Sequence, residues 1–229
     1  MFRAFKDLCR RQSLTRRGIV REVSRPQFTA GERSGVWTVL PDQLGRDSVV
    51  YSFGVGDNLA WDLAMVNQFG LTLHAFDPTP ASVQWVSQQK LPSSLRFHPI
   101  GVAGHDGTCE FALPSRGSRF NFRPAAKPAE ASREIVAAPV NRVTTIMKQL
   151  GHHHVDVLKI DIEGGEYPVF DDMLASGIAP RQLLVEFHHH FPGIGIRRTE
   201  EVVSKLKKVG YQIFDISNRG LEIGFVKAA

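Results

Sequence analysis

The chain has 229 residues, with 28 lysines and arginines against 23 aspartates and glutamates and 42% hydrophobic residues. That is the composition of a soluble globular protein of one or two domains; a disordered chain would carry fewer apolar residues and a net charge further from zero than this +5. No apolar run approaches the ~18 residues of a membrane span, and two cysteines, Cys9 and Cys109, exclude a disulfide scaffold and fit a reducing, cytoplasmic setting.

The charge is uneven. Residues 1–33 hold nine basic and three acidic side chains, a net of +6, which leaves −1 for the rest. Within them Phe2, Phe5, Leu8 and Cys9 recur at helical spacing with cations between. This predicts a basic N-terminal extension over residues 1–35, ahead of a main domain at 36–229. Charges interrupt every candidate leader core, so the segment is no secretory signal. It suits an anionic membrane surface or an acidic partner, or else a solvated helix on the domain edge. Nucleic acid is disfavoured, because no aromatic platform or known binding motif accompanies the charge.

Downstream, residues 36–40 form a short apolar run that Pro41 ends. Ser48–Phe53 reads as a buried strand, rich in β-branched and aromatic residues. It stops at Gly54-Val55-Gly56-Asp57-Asn58. Residues 59–69 then show helical periodicity, with Gly70 where a C-cap belongs. Leu71–Phe76 is a second strand, ended by Asp77-Pro78. Residues 81–90 read as a helix and 95–100 as a third strand, so the first hundred residues alternate strand and helix. Such alternation implies a parallel sheet covered on both faces. The Arg-, Ser- and Phe-rich stretch 114–139 interrupts the rhythm and reads as a lid, a substrate loop or a surface excursion. Residues 141–150 resume as a helix. Val155–Ile162 is a fourth strand, Glu166 opens another helix, and Leu183–Phe187 is a fifth strand. A helix over 199–209 and an antiparallel hairpin, 211–216 with 221–226, close the chain. The expected fold is α/β: a doubly wound, mostly parallel, Rossmann-like sheet ending in that hairpin.

Ligands of open α/β sheets bind at the carboxyl ends of the strands. There the first strand offers Gly54, Gly56, Asp57 and Asn58, the glycines letting a ligand approach the backbone. Asp77 follows the second strand, 21 residues after Gly56. A carboxylate at that place suits a ribose diol, so the unit reads as an adenosine-type site. A dinucleotide would want a third glycine where Leu59 stands, and Asp57 would repel its phosphates. An NAD(P)-linked oxidoreductase is therefore the weaker reading. S-adenosylmethionine carries ribose hydroxyls, a sulfonium and an ammonium but no phosphate, and fits better.

The fourth strand runs Lys159-Ile160-Asp161-Ile162-Glu163-Gly164-Gly165-Glu166, with three carboxylates within six residues. Lys159, inside an apolar strand, needs a carboxylate partner to be tolerated. Residues 155–170 (VDVLKIDIEGGEYPVF) resemble the signature segment of the FkbM-type family of S-adenosylmethionine-dependent methyltransferases. Residues 49–57 and 74–78 resemble the cofactor segments of the same family. The likeness spans roughly 36–226 and implies the class I methyltransferase fold and the cofactor S-adenosyl-L-methionine. It further implies that Phe53, Gly54 and Gly56 meet the methionine part and Asp77 the ribose. Pro78 and Val102 would lie near adenine, Asp161 by the methyl donor and Glu163 toward the acceptor. Hydroxyl oxygens of sugars and natural products are the acceptors the family suggests; a cofactor-binding module without activity is the other alternative.

His188-His189-His190 follow the fifth strand and so reach the same edge, with Glu186 on the same side. A hydroxyl must lose its proton as it attacks the methyl group, and neutral His188 or His190 suits that role. Asp161, Glu163, Glu186 and His188 are suitable ligands for a divalent ion, but no diagnostic spacing supports one and none is assigned. His152-His153-His154 precede the fourth strand at the opposite edge and read as a solvated loop. Arg116, Arg119 and Arg123 could recognise a phosphate or carboxylate on a small-molecule acceptor.

Overall fold

A computed structural model describes residues 2–33, 35–114, 118–125 and 132–228. The chain opens with helix α1 (Phe2–Arg16) and the antiparallel pair β1 (Phe28–Glu32) and β2 (Gly35–Val39). It continues through β3 (Val49–Phe53), α2 (Ala60–Phe69), β4 (Thr72–Phe76), α3 (Pro80–Ser87) and β5 (Leu95–His98). β6 (Gly101–Val102), β7 (Gly107–Pro114), β8 (Arg123–Pro124) and β9 (Ser132–Asn141) come next. The remainder is α4 (Val143–Leu150), β10 (Val157–Ile160), α5 (Glu166–Ala175), β11 (Gln182–Glu186), α6 (Ile196–Lys208), β12 (Tyr211–Ile216) and β13 (Glu222–Lys227).

Seven strands make the central sheet in the order β12-β13-β11-β10-β3-β4-β5. The pairs from β11 to β5 are parallel, and β13 runs antiparallel to both its neighbours. The expected doubly wound α/β architecture and closing hairpin are therefore present. Strand order reverses between β10 and β3, so a crevice opens beyond their carboxyl ends. Side chains alternate across the sheet. Leu158 and Ile160 enter one core with Tyr51, Phe53, Val185 and Phe170. Val157 enters the other with Val50, Trp37, Trp61 and Met65.

Two regions depart from the sequence reading. The described residues within 107–141 are largely strand: β7 and β9 pair antiparallel, β8 adds to β7, and β6 runs parallel to β9. Of the lid expected at 114–139, the described part is thus the end of a four-stranded flap beside the crevice. The strand signal is weak because β9 carries two alanines and a proline, and no short turn joins it to β7. Arg116 lies outside the described residues.

The chain before residue 36, expected as an extension, packs on the sheet. Leu14 and Ile19 are buried in the first core. The amides of Glu22 and Val23 donate to the Ile213 carbonyl (2.7 and 3.1 Å), and the Glu22 carboxylate accepts from the Ile213 amide (2.9 Å). The line at residue 35 falls inside the β1–β2 pair, whose Phe28 sits edge-on against Phe69 of α2 (5.4 Å between centroids).

Candidate active site

A cavity of about 500 Å³ lies at the carboxyl ends of β3, β4 and β10. The turn after β3 forms its floor, and backbone geometry dictates the residues there. Gly54 has φ +86°, and a Cβ on it would lie 1.7 Å from the Asp161 carbonyl oxygen. Only glycine lets the ends of β3 and β10 approach so closely. Lys159 Nζ donates to the Gly54 carbonyl (3.1 Å), bracing the same junction from below.

The partner that Lys159 requires is Asp62 of α2. That carboxylate is buried, which raises its pKa, and the charge of Lys159 opposes the rise. Both residues line the cavity with Trp37 and Trp61, and Lys159 Nζ lies 5.2 Å from the Trp37 ring centroid. Asp62 Oδ1 and the two indole N–H groups are buried with no hydrogen-bond partner among the described residues. Buried polar atoms are rarely left so. The sequence reading missed these three residues; the one signal for Asp62 was the demand of Lys159 for a buried acid.

Asp77, Pro78 and Val102 line the cavity as well. Asp77 is buried, and its carboxylate accepts four protein hydrogen bonds. These come from the amides of Val55 (3.1 Å), Gly56 (2.9 Å) and Thr79 (2.9 Å) and the Thr79 hydroxyl (2.6 Å). A carboxylate has about four lone-pair sites, so this acid shapes the glycine turn as well as lining the cavity. Phe53 stacks on Phe76 behind it (4.6 Å). Asp57 is half-exposed, and Arg33, from the segment read as an extension, donates to its carbonyl (2.8 Å).

The three residues singled out for chemistry converge. His188 Nε2 lies 3.8 Å from Asp161 Oδ1 and 3.7 Å from Glu163 Oε2. Glu163 follows β10 with φ +52°, an uncommon conformation for a residue with a side chain. Asn121 of the flap donates to Glu163 Oε1, and Arg123 Nε approaches Oε2 (4.0 Å) while stacking on Phe191. Glu166, fully buried at the start of α5, orients His188: its Oε1 accepts the His188 amide (2.7 Å) and meets Nδ1 (3.2 Å). Glu186 joins from the end of β11, paired with Arg219 (2.9 Å).

Electrostatics decide what these groups can do. Burial alone would lower the His188 pKa, but the hydrogen bond and charge of Glu166, with the charges of Asp161 and Glu163, push it up to about 10. The imidazolium is thus favoured at His188, which runs against the neutral base expected there. Burial raises the Glu163 pKa, as does Asp161, against His188, Asn121 and Arg123. A carboxylate so placed is a stronger base than an ordinary one. Burial, then Asp161 and Glu222, push Glu186 up to about 8. Ligand atoms of Asp161, Glu186 and His188 lie within 4.8 Å of one another, so the three could share a divalent cation. Such an ion would compete with the proton on Nε2.

Other calls fall elsewhere. His190 is exposed, and Arg119 is exposed beside Phe120. His153 and His154 face solvent as expected, whereas His152 is half-buried, its Nδ1 2.6 Å from the Tyr51 hydroxyl.

A seven-stranded sheet with one antiparallel strand, a glycine turn and an acid-rich strand end define a doubly wound α/β domain with its cavity at the switch point. The family model described as Methyltransferase FkbM domain matches residues 49–213, and the chain belongs to that family. It is 27% identical over 178 residues to the probable methyltransferase-like protein 24 of Rattus norvegicus, covering 73% of this chain and 42% of that protein. The Homo sapiens counterpart is 27% identical over 157 residues, covering 67% and 36%. The chain thus spans less than half the length of these relatives. Among solved structures, methyltransferase FkbM from Methylobacillus flagellatus is similar with a TM-score of 0.46 and 11% identity, over 79% of this chain and 43% of that one. A TehB-like SAM-dependent methyltransferase from Corynebacterium glutamicum gives 0.39 and 12%, over 80% and 82%.

Proposed function

We propose that this chain transfers a methyl group from S-adenosyl-L-methionine to a hydroxyl oxygen of a small molecule such as a sugar or natural product. The observation that carries the reading is the cavity's polarity. In its lining an unpartnered carboxylate oxygen and two unpartnered indole N–H groups accompany a buried lysine, which interacts with Asp62 and lies over the Trp37 ring. A zwitterionic amino-acid group is the kind of ligand that satisfies both signs at once. The Asp77 end would take the nucleoside, with the ribose reaching the carboxylate in place of one of its present donors. The acids between suit a sulfonium. Lys159, Asp62, Trp37 and Trp61 would hold the amino-acid end, and Pro78 and Val102 would flank the base.

The cofactor would supply an electrophilic methyl group. The chain's own residues do the rest. Glu163 stands at the mouth, fixed by Asn121 and Arg123, and accepts the acceptor's proton. His188, charged and held by Glu166, steadies Asp161 and Glu163 without giving up its own proton. Positioning of the hydroxyl in line with the methyl group supplies most of the rate.

Calorimetric titration tests this. S-adenosylhomocysteine should bind at micromolar Kd, 5′-methylthioadenosine at least about tenfold more weakly, and NADH not at all. Equal affinity for the first two would remove the amino-acid end from the cavity. Binding of NADH alone would overturn the cofactor.

A further inference from the structure

Helix α1 carries an apolar stripe that the fold does not use. Leu14 is its one residue buried in the core among the described residues; Phe5 is 64% and Leu8 53% exposed. Phe5, Leu8, Cys9 and Gln12 follow i, i+3, i+4, i+7 spacing and share the face turned away from Leu14. Exposed Arg16 lies on that face one turn beyond Gln12, and exposed Arg11 borders it. The helix's single acid, Asp7, is engaged by Arg10 (3.0 Å), so no carboxylate interrupts the stripe.

We propose that this face of α1 lies in the headgroup layer of an anionic phospholipid membrane. The surface is a single helix face, apolar at Phe5 and Leu8 and basic at Arg16. Two large apolar side chains followed on the same face by an exposed arginine, on a helix with five cations and one acid, are the pattern of an interfacial helix: the apolar groups enter the acyl boundary while Arg16 reaches the lipid charges. The rest of the chain fixes the outcome for the site. Arg11 Nη1 donates to Asn218 Oδ1 (3.3 Å), and a Cβ on Gly220 would meet the Arg11 backbone nitrogen at 3.3 Å. The turn at 217–220 follows β12 and precedes β13, whose first residue pairs with Glu186. Lipid docked on α1 therefore sits beside the same sheet edge as the acid cluster, and an acceptor would be met at the membrane surface. The membrane docking itself does not rest on methyl transfer; the meeting with an acceptor does.

Co-sedimentation of the full chain with vesicles tests it. Vesicles about one-third phosphatidylserine should pull the protein down at least about tenfold better than pure phosphatidylcholine, and raising salt from about 0.1 to 0.5 M should release it. The double variant Phe5→Ser, Leu8→Ser should lose about tenfold or more of that binding, with its melting temperature and its S-adenosylhomocysteine affinity unchanged. Equal binding to both vesicle types, no binding to either, or undiminished binding by the variant overturns the proposal. So does a dimer of the wild-type chain in sedimentation velocity that the variant abolishes, since the face would then be a subunit interface.

Discussion

In the proposed reaction Glu163 and His188 would divide one task between them. Glu166 favours the imidazolium of His188, while the Glu163 carboxylate, raised by burial and bonded by Asn121, would take the proton. Glu163→Gln should lower kcat by about 10²- to 10⁴-fold with S-adenosylhomocysteine affinity nearly unchanged; a kcat within a few-fold of wild type would move the base elsewhere. In the wild type, kcat should rise with pH through a value above that of a free glutamate, the direction burial gives Glu163. Gly54→Ala is a different kind of test. Its Cβ would stand inside contact distance of backbone, not of a yielding side chain. The loss should exceed about 3 kcal/mol, read as a lower denaturant midpoint. The acids and His188 were legible because strand ends face the crevice. The buried state of Glu166, which sets the charge on His188, was not, because it depends on how α5 folds back over β11.

At the scale of elements, the parallel strands and their helices could be read to within about three residues at each boundary, since the strands are apolar runs ended by glycine, proline or an acid. The flap could not. Its strands are held by pairing with each other across a long connection, and local sequence carries little of that. Asn121 shows its function: a flap residue touches a side chain from the end of β10. Asn121→Ala should reduce kcat and leave cofactor affinity intact, with the reverse pattern disproving the assignment. The helices and strands also set the pH dependence of stability. His74 on β4 and His189 after β11 are pushed down to about 4, chiefly by burial. Their contribution is present above the unfolded value of 6.5 and is lost as pH falls toward 4. His188 and Glu186 are shifted up, so stability falls as pH rises through about 10 for the first and about 8 for the second. Melting of EDTA-treated protein should therefore peak near about pH 6. Glu186→Gln should flatten the alkaline fall between pH 5 and 8; an unaltered curve would exclude Glu186 as its source.

For the whole molecule, the N-terminal segment matters more than its composition suggested. Charge made residues 1–35 look separate, whereas two buried apolar residues, Leu14 and Ile19, tie them to the core. Two such side chains among so many cations are a faint signal, and nothing local says which sheet edge they will find. A chain beginning at residue 36 should express mostly as insoluble protein, or melt well below the full chain; equal melting temperatures would show that 36–229 stands alone.

The contact of Glu22 and Val23 with β12 bears on assembly. β12 ends the central sheet, and an open edge of that kind recruits strands from other molecules. Here the chain itself occupies the Ile213 amide and carbonyl, and Gln27 covers the Phe214 carbonyl (3.0 Å). Two copies cannot continue their sheets through this edge unless residues 22–27 first peel away, and a peeled segment could then seal the neighbour's edge in place of its own. Any dimer built on β12 would thus be an exchanged one, slow to form and slow to part.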